Sequence, residues 1–583
     1  MSVRFIGNQA RWVFSRESNG KRRTEKGRIL IFHTIRNPYA VGKKMGASSS
    51  TQQAGSSEQR EAESLAASVG ALPMLQNSFA KLADPQTSAI PLESLQKCFG
   101  VSYETPDFES TEAPDPSSFL GVLNHLGKSL VDEFFLAEKE GISWIEFVKG
   151  YVKCCGRMTA SMSLNVLMRL FATTLARSGS PSKLEFESMD DGGYKISGYL
   201  LPADVLVLLW MSWAILWDSK TSNGKERTLF LPDVSHLALS AVVSCCDGLD
   251  GVDFWVCDLA GLEVQLPAGK FLAWALATAP SLTDCLTQFI NSRLQNGVSS
   301  GDESAQGTSI PGGSVLSSAR SSYLLTCGRA WAISLSLRSA ISVEILKPYF
   351  PSDGDQSDEH VLYRSSVHGK GLNRFWSNVE GYHGPLLILV SATSGDTHGD
   401  NSTAKKWTIG ALTQQGLENK ESFYGTSATL YAICPVFHVF PPSGKEKNFV
   451  YSHLHHARGY DPHPKPAGIG FGGSMGNERL YIDEDFARVT VRHHAVDKTY
   501  QNGPLFPNQG FLQVEALISE VEVWGLGGEA ARSVQTSYKK REELFTEQRR
   551  KVDLKTFSNW EDSPEKMMMD MMGDPNRVRR EDR

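Results

Sequence analysis

The chain has 583 residues, of which 41% are hydrophobic, with 28 Phe and 12 Trp. That is more apolar mass than one core uses, and roughly 150 residues per domain gives two to four units. The net charge of -6 hides an asymmetry: 11 Lys or Arg against 2 acids in residues 1–44 leave 48 against 63 beyond them. The acidic body lacks the basic footprint of a nucleic-acid binder, so no nucleic acid is expected as a partner.

Residues 1–44 form a basic stretch poor in acids, which fits a mitochondrial transit peptide and hence a mitochondrial location. Met45-Gly-Ala-Ser-Ser-Ser50 then presents an N-myristoylation pattern, with Gly46 as acceptor and Ser50 at the required place. The two readings exclude each other, because only an N-terminal glycine is acylated. The reading adopted is a start at Met45, and Gly46 is a lipidation site on that condition alone. Residues 1–64 are then a basic leader and a flexible tract. One myristoyl chain gives marginal, reversible attachment, so peripheral membrane contact is expected.

Residues 65–290 read as an all-α, EF-hand-like domain. Leu72, Leu75, Phe79 and Leu82 recur at helical spacing, as do Leu123, Leu126, Leu130 and Phe134. Each run is followed by a break and a second apolar stretch, starting at Ile90 and at Ile142. Calcium needs oxygen ligands at loop positions 1, 3, 5 and 12. With Ile90 aligned to position 8, those places hold Ala83, Pro85, Thr87 and Ser94; with Ile142 there, they hold Phe135, Ala137, Lys139 and Glu146. Neither loop assembles the carboxylates, and Asp190-Asp191 lacks the alternating pattern. The helix pairs are therefore read as scaffold. The apolar run from Val205 to Trp217 falls short of the roughly 20 residues a bilayer requires and is expected to be a buried central helix.

Residues 291–320 are rich in Gly and Ser and are expected to be a disordered linker. Short strand-like runs follow, among them Pro385–Val390, Trp407–Leu412, Ala428–Ile433 and Val436–Phe440, which argue for a β-sandwich. The fold class is thus α+β and multidomain: helical domain, sandwich flanked by helices over 321–528, and a charged helical tail over 529–583. In that tail Tyr538, Phe545 and Val552 recur every seven residues, a thin stripe suited to docking on a partner or back on the domain.

The stretch from Ala467 to Phe486 concentrates glycine at Gly468, Gly470, Gly472, Gly473 and Gly476. Gly468, Gly470 and Gly473 match the spacing G-x-G-x-x-G, but three prolines precede them and an alternating strand, Leu480 to Asp483, follows. A dinucleotide turn needs a strand before and a helix after. The glycines are read as serving chain geometry between strands, with no cofactor.

Several pieces occur in order: Leu362–Gly369, Glu380-Gly381, Gly384–Ile388, Phe423–Gly425, Gly468–Gly473, Leu480–Asp483, Thr499–Asn502 and Val523–Gly525. Together they make residues 321–527 resemble the TLDc domain of the oxidation-resistance proteins. Residues 394–406 and 453–466 are longer than the family's usual loops. The resemblance implies a sandwich used as a docking surface, with Gly468, Gly470, Phe471, Gly472, Gly473, Asp483, Trp524 and Gly525 as its structural or interface positions. The order of parts resembles the lysosome-associated, mTOR-linked branch. Members of the family bind the vacuolar proton-pumping ATPase, which implies that partner and a cytoplasmic location peripheral to the lysosomal or vacuolar membrane.

No catalytic constellation emerges. There is no G-x-S-x-G elbow, and Ser365, Ser366 and His368 form no triad. The 9 cysteines, which include Cys327 and Cys434, show neither zinc spacing nor a disulfide framework. His453, His455, His456 and His463 fall close together without the four ligands of a structural zinc site. The expected function is a non-enzymatic adaptor. The rivals are a peroxide-protective enzyme, which needs a redox centre near Cys327 or Cys434, and a calcium sensor.

Overall fold

The helix Leu72–Leu82 falls where the leucine spacing puts it, whereas a helix over Ser57–Ser68 begins inside the stretch expected to be flexible, and Leu123 ends a helix separate from that of Leu126, Leu130 and Phe134. The computed structural model describes residues 57–103, 105–109, 116–135, 141–188, 193–221, 228–249, 251–296, 322–350, 360–395, 404–455 and 463–558, with Lys566 and Met568. Gly46, Asp190, Asp191, His456 and residues 297–321 lie outside them. The chain opens with α1 (Ser57–Ser68), α2 (Leu72–Leu82), α3 (Leu92–Cys98), α4 (Pro116–Asn124), α5 (Leu126–Phe134) and α6 (Trp144–Cys155). Interleaved are β1 (Ile90–Pro91), β2 (Thr105–Phe108) and β3 (Gly141–Ile142). β1 and β3 pair antiparallel with Ile90 opposite Ile142, which ties the loop of α2–α3 to that of α5–α6. At the second loop, Glu146 Oε2 accepts from the Ser143 N–H at 2.7 Å and Ser143 Oγ accepts from the Glu146 N–H at 3.4 Å. The carboxylate at loop position 12 is therefore occupied in capping α6.

There follow α7 (Ala160–Arg177), the hairpin β4 (Leu184–Ser188) and β5 (Tyr194–Leu200), α8 (Pro202–Thr221), β6 (Thr228–Leu231), α9 (Ser235–Cys245), β7 (Leu266–Pro267), α10 (Ala268–Thr278) and α11 (Leu282–Asn296). α8 carries the apolar run, and Val205, Leu208, Leu209, Met211, Trp213, Ala214 and Ile215 are all buried. It is the central helix that its composition predicts. Among the described residues no helix is long and apolar enough to cross a membrane. α11 continues through Asn296, into the stretch expected to be linker.

The carboxy-terminal half contains α12 (Cys327–Ser336), α13 (Ile341–Leu346), β8 (Val361–Arg364), α14 (Ser365–His368), α15 (Leu372–Val379), β9 (Leu386–Ser394), β10 (Lys405–Thr413), β11 (Lys420–Tyr424), β12 (Ala428–Cys434), β13 (His438–Phe440), β14 (Val450–His453), β15 (Gly468–Ser474), β16 (Asn477–Asp483), β17 (Arg488–Val491), β18 (Val514–Gly525) and α16 (Gly528–Ser558). β8 to β18 form an 11-stranded sheet in the order β11-β14-β15-β16-β17-β18-β9-β10-β12-β13, with β8 also on β18. Its pairings are antiparallel.

The sheet curls, and the 12-residue β18 is the hinge of the arrangement, pairing β17 at its start and β9 over the rest. Ile469, Phe471, Leu480 and Ile482 of one half thereby share a core with Ile388, Val390, Ile409 and Leu430 of the other. The layers of the expected sandwich are two parts of one continuous sheet.

β9 is buried on both faces from Leu386 to Ala392. Leu386, Ile388 and Val390 enter the sheet's own core, whereas Leu387 and Leu389 join Leu412, Tyr431 and Ile433 in the core built around α8 and α12. An antiparallel sheet usually leaves one face wet and alternates in sequence. Here helices cover the second face, so the run 386–390 is continuously apolar. The seam is also hydrogen-bonded: the Phe437 N–H donates to the His236 carbonyl at 2.9 Å, and Trp255 Nε1 donates to the Lys406 carbonyl at 2.9 Å.

α16 begins by docking on the domain. Gln535 Nε2 donates to the Asn378 carbonyl at 2.8 Å and Tyr538 Oη to the Glu380 carboxylate at 2.9 Å. From Lys540 to Lys551 every residue is exposed, Phe545 included, so the heptad stripe is divided between a docked Tyr538 and a free Phe545.

Candidate docking surface

The glycine-rich stretch is β15, the first arm of a hairpin whose second arm is β16. Phe471 is fully buried between Val450 of β14 and Leu480 of β16. Gly468 lies opposite Asp483 and Gly470 opposite Tyr481. At three positions no other residue fits, and at Gly468, with φ +154°, a Cβ would lie 2.5 Å from the Ile482 carbonyl oxygen. Gly472 has φ +69°, and a Cβ there would lie 2.6 Å from the Tyr500 ring; Gly473 has φ +76°, and its Cβ would lie 2.1 Å from the Asn477 carbonyl oxygen. The glycines let the loop after β17 press against the hairpin, with Thr499 Oγ1 accepting from the Gly473 N–H at 3.2 Å.

That loop is fixed by a buried charge pair the sequence did not disclose. Arg479 projects from β16 and is 1% exposed; its Nη1 donates to Asp497 Oδ2 at 2.8 Å and to the Gln501 carbonyl at 2.6 Å. Its Nη2 donates to the Gly503 carbonyl at 2.6 Å, and the guanidinium carbon sits 4.4 Å from the centre of the Phe440 ring. Asp497 accepts from the Thr499 N–H at 2.8 Å, the Thr499 hydroxyl at 2.7 Å and the Tyr500 N–H at 3.0 Å. Burial pushes the Asp497 carboxyl up, but the His494 ring nitrogen 3.8 Å away and hydrogen bonds from Tyr500 and Thr499 outweigh it and hold the group well below the usual carboxylate range. The quartet Thr499–Asn502 thus acts through its backbone, the Thr499 hydroxyl and the Asn502 side chain, whose Oδ1 accepts from the Asp497 N–H at 2.9 Å. Arg479 carried no sequence signal, because its alternating strand reads as wet on that face until the later loop covers it.

The braced segments expose apolar side chains. Val496 is 75%, Phe511 69% and Leu512 85% exposed, and Met475 at the hairpin tip 39%. The His493 ring stacks on Phe511 with centroids 4.6 Å apart. Exposed Lys498 belongs to the loop after β17, and exposed Lys445 and Lys447 to the β13–β14 loop, whose Ser443 N–H donates to the Thr499 carbonyl at 2.8 Å. Large apolar groups held outward on an ordered loop mark an interaction site more often than a random surface does.

The other expected positions lie elsewhere. Asp483 closes the β16–β17 turn by accepting from the Ala487 and Arg488 N–H groups at 2.8 and 3.1 Å. Trp524 faces the helical half, with its Nε1 donating to Glu522 Oε2 at 3.1 Å, whereas Gly525 packs on Tyr382 of the sheet's own core. Glu522 is fully buried and accepts from the Leu324 and Leu325 N–H groups at 2.8 and 3.2 Å, with Arg364 Nε at 3.5 Å. Burial pushes this carboxyl above its ordinary value. A Cβ on Gly525 would lie 2.8 Å from Tyr382, so Glu522 and Trp524 secure the seam, Gly525 fits against Tyr382, and none of the three is available to a partner. Glu109 does a similar task, accepting from the N–H groups of Asp233, Cys327 and Gly328.

His453 and His455 stack edge-on with centroids 5.0 Å apart, and among the described residues no group of three or more His, Cys, Asp or Glu is placed to hold a metal. Cys327 is buried at the start of α12, and Arg329 Nη2 lies 3.5 Å from Cys434 Sγ.

Residues 335–527 match the TLDc domain family. The chain contains a TLDc domain. That match begins inside α12 and ends two residues past β18, so it takes in the whole curled sheet and the docking loops. The chain is 26% identical over 195 residues to the MTOR-associated protein MEAK7 of Danio rerio, covering 33% of this chain and 38% of that protein. It is 22% identical over 207 residues to the Gallus gallus protein of the same name and 24% over 168 residues to that of Homo sapiens, covering 39% and 32% of them. The matched stretch spans less than two fifths of the length of these relatives.

Proposed function

We propose that the protein is a non-enzymatic adaptor whose TLDc domain docks on a protein partner through the β15–β16 tip and the loop that follows β17. One observation carries this reading: Val496, Phe511 and Leu512 are held exposed on a loop whose base is locked by the buried Arg479–Asp497 pair. An ordered apolar surface loses little conformational freedom on binding, which favours association. The relatives named MTOR-associated protein MEAK7 support a regulatory role in the mTOR-associated branch. The partner proposed is the vacuolar proton-pumping ATPase, and the place is the cytoplasmic side of the lysosomal or vacuolar membrane.

The paired helix–loop–helix units serve in this reading as an EF-hand-like scaffold without calcium. Glu146 is engaged in its helix cap, and the first loop offers Ala83, Pro85 and Thr87 where acids are needed. Acylation at Gly46, given a start at Met45, would supply peripheral membrane contact. Affinity capture from solubilised lysosomal or vacuolar membranes, with the full chain as bait, tests the partner. Recovery of proton-pump subunits is expected, and their absence under conditions that retain other membrane partners would reject this one.

A further inference from the structure

A cavity of about 860 Å³ opens between α8, the start of α11 and the α12–α13 segment, and none of the docking-loop residues line it. Its size lies within the range of about 300–1,000 Å³ common to small-molecule sites. The floor is apolar, formed by Leu216, Trp331, Leu335, Leu346 and Phe350. Trp331 is fully buried, and its Nε1–H has no hydrogen-bond partner among the described residues. The neighbouring indoles of Trp210 and Trp213 each donate to a carbonyl, of Pro232 and Phe230, at 3.1 and 2.7 Å. A buried N–H left unmatched costs free energy unless a ligand or water accepts from it.

Charge at the cavity is predominantly positive. Lys220, Arg338 and Lys347 line the cavity and are exposed, whereas Asp284 is the sole carboxylate among the lining residues. Neither Lys220 nor Lys347 forms an ion pair among the described residues, and Arg338 reaches only the Pro280 carbonyl, at 3.5 Å.

We propose that this cavity binds a monoacyl lipid with an anionic head group. The acyl chain lies over Leu335, Leu346 and Phe350, a carbonyl of the lipid accepts from Trp331 Nε1, and the head meets Arg338, Lys347 and Lys220. An apolar floor beneath a cationic rim suits an amphiphile, which a purely apolar or purely ionic ligand would match on one side only. The site is distinct from the docking loops, so its failure leaves the adaptor reading standing.

The test is calorimetric titration of the full chain with lysophosphatidic acid, palmitate and zwitterionic lysophosphatidylcholine, each below its micelle concentration. Saturable one-to-one binding of an anionic lipid is expected, and whichever of the two anions binds more tightly identifies the head group as phosphate or carboxylate. The double variant Arg338→Glu/Lys347→Glu, whose side chains are exposed and leave the fold intact, should weaken the anionic ligands at least tenfold and change lysophosphatidylcholine less. Trp331→Phe keeps the ring and should weaken binding several-fold by removing the N–H donor. Absence of saturable binding by the wild-type chain, or anion binding indifferent to the charge reversal, would overturn the proposal.

Discussion

Arg479 and Asp497, 18 positions apart, form an ion pair at 2.8 Å with both side chains 1% exposed. The pair joins the glycine hairpin to the loop that presents Phe511. Burying two charges is costly, and the cost is offset by the hydrogen bonds that Arg479 Nη1 and Nη2 and the Asp497 carboxylate make with the surrounding loop, while Arg479 Nε finds no partner among the described residues.

Removing one member should therefore hurt more than removing a surface pair. Arg479→Met leaves the Asp497 carboxylate buried without its counter-charge and is expected to cost about 3–5 kcal/mol in urea unfolding. The exposed pair Lys195–Glu187 provides the contrast, since Lys195→Met should cost less than about 1 kcal/mol.

The pair also sets an acid limit. Because the folded-state pKa of Asp497 lies below its ordinary value of 3.8, the group stabilises the fold above that pH and the contribution fades as pH falls through the folded value. Asp497→Asn should lower stability at pH 7 and flatten the part of the stability curve below about pH 3.8. Thermal melts of both proteins between neutral pH and pH 3 provide the comparison.

Glycines at the hairpin should separate by surroundings. Gly476 has φ +78° with nothing within 4 Å of a Cβ, so Gly476→Ala is expected to cost about 1–2 kcal/mol, the left-handed backbone penalty alone. Gly472→Ala adds a collision 2.6 Å from the Tyr500 ring and should cost more, with Tyr500 and Thr499 losing amide protection in hydrogen exchange.

Leu389 binds the two halves into one folding unit. It sits on the face of β9 turned to the helical core and is fully buried, so Leu389→Ala should cost about 2–5 kcal/mol. Because both halves share that core, the loss should lower the unfolding midpoint of the helices and of the sheet together. Probes in the two halves that shifted separately would show the seam to be weak.

Much of this was legible in the chain. The leucine spacing located α2 and α5, the run 205–217 announced a buried helix, and the prolines before Gly468 ruled out a dinucleotide turn. The ordered motifs identified the TLDc domain. What stayed hidden was set by contacts between distant segments. Nothing local distinguishes Arg479 from a solvated strand residue, because the loop residues that bury it lie 18 or more positions later. Glu109 and Glu522 likewise read as ordinary acids, yet they gather N–H groups from Cys327, Gly328, Leu324 and Leu325. Val523–Gly525 belongs to the family pattern, but its position at the seam required the fold. Val496, Phe511 and Leu512, the residues proposed to dock, fall outside any motif, and only their exposure singles them out.

The claim that the loop after β17 is the docking face is tested most directly by binding to purified vacuolar proton-pumping ATPase. Wild type should be compared with the variant Phe511→Ser/Leu512→Ser, whose side chains are 69% and 85% exposed and contribute little to the core. The account predicts at least a tenfold loss of affinity with an unchanged melting temperature. Equal affinity of the two proteins would contradict it.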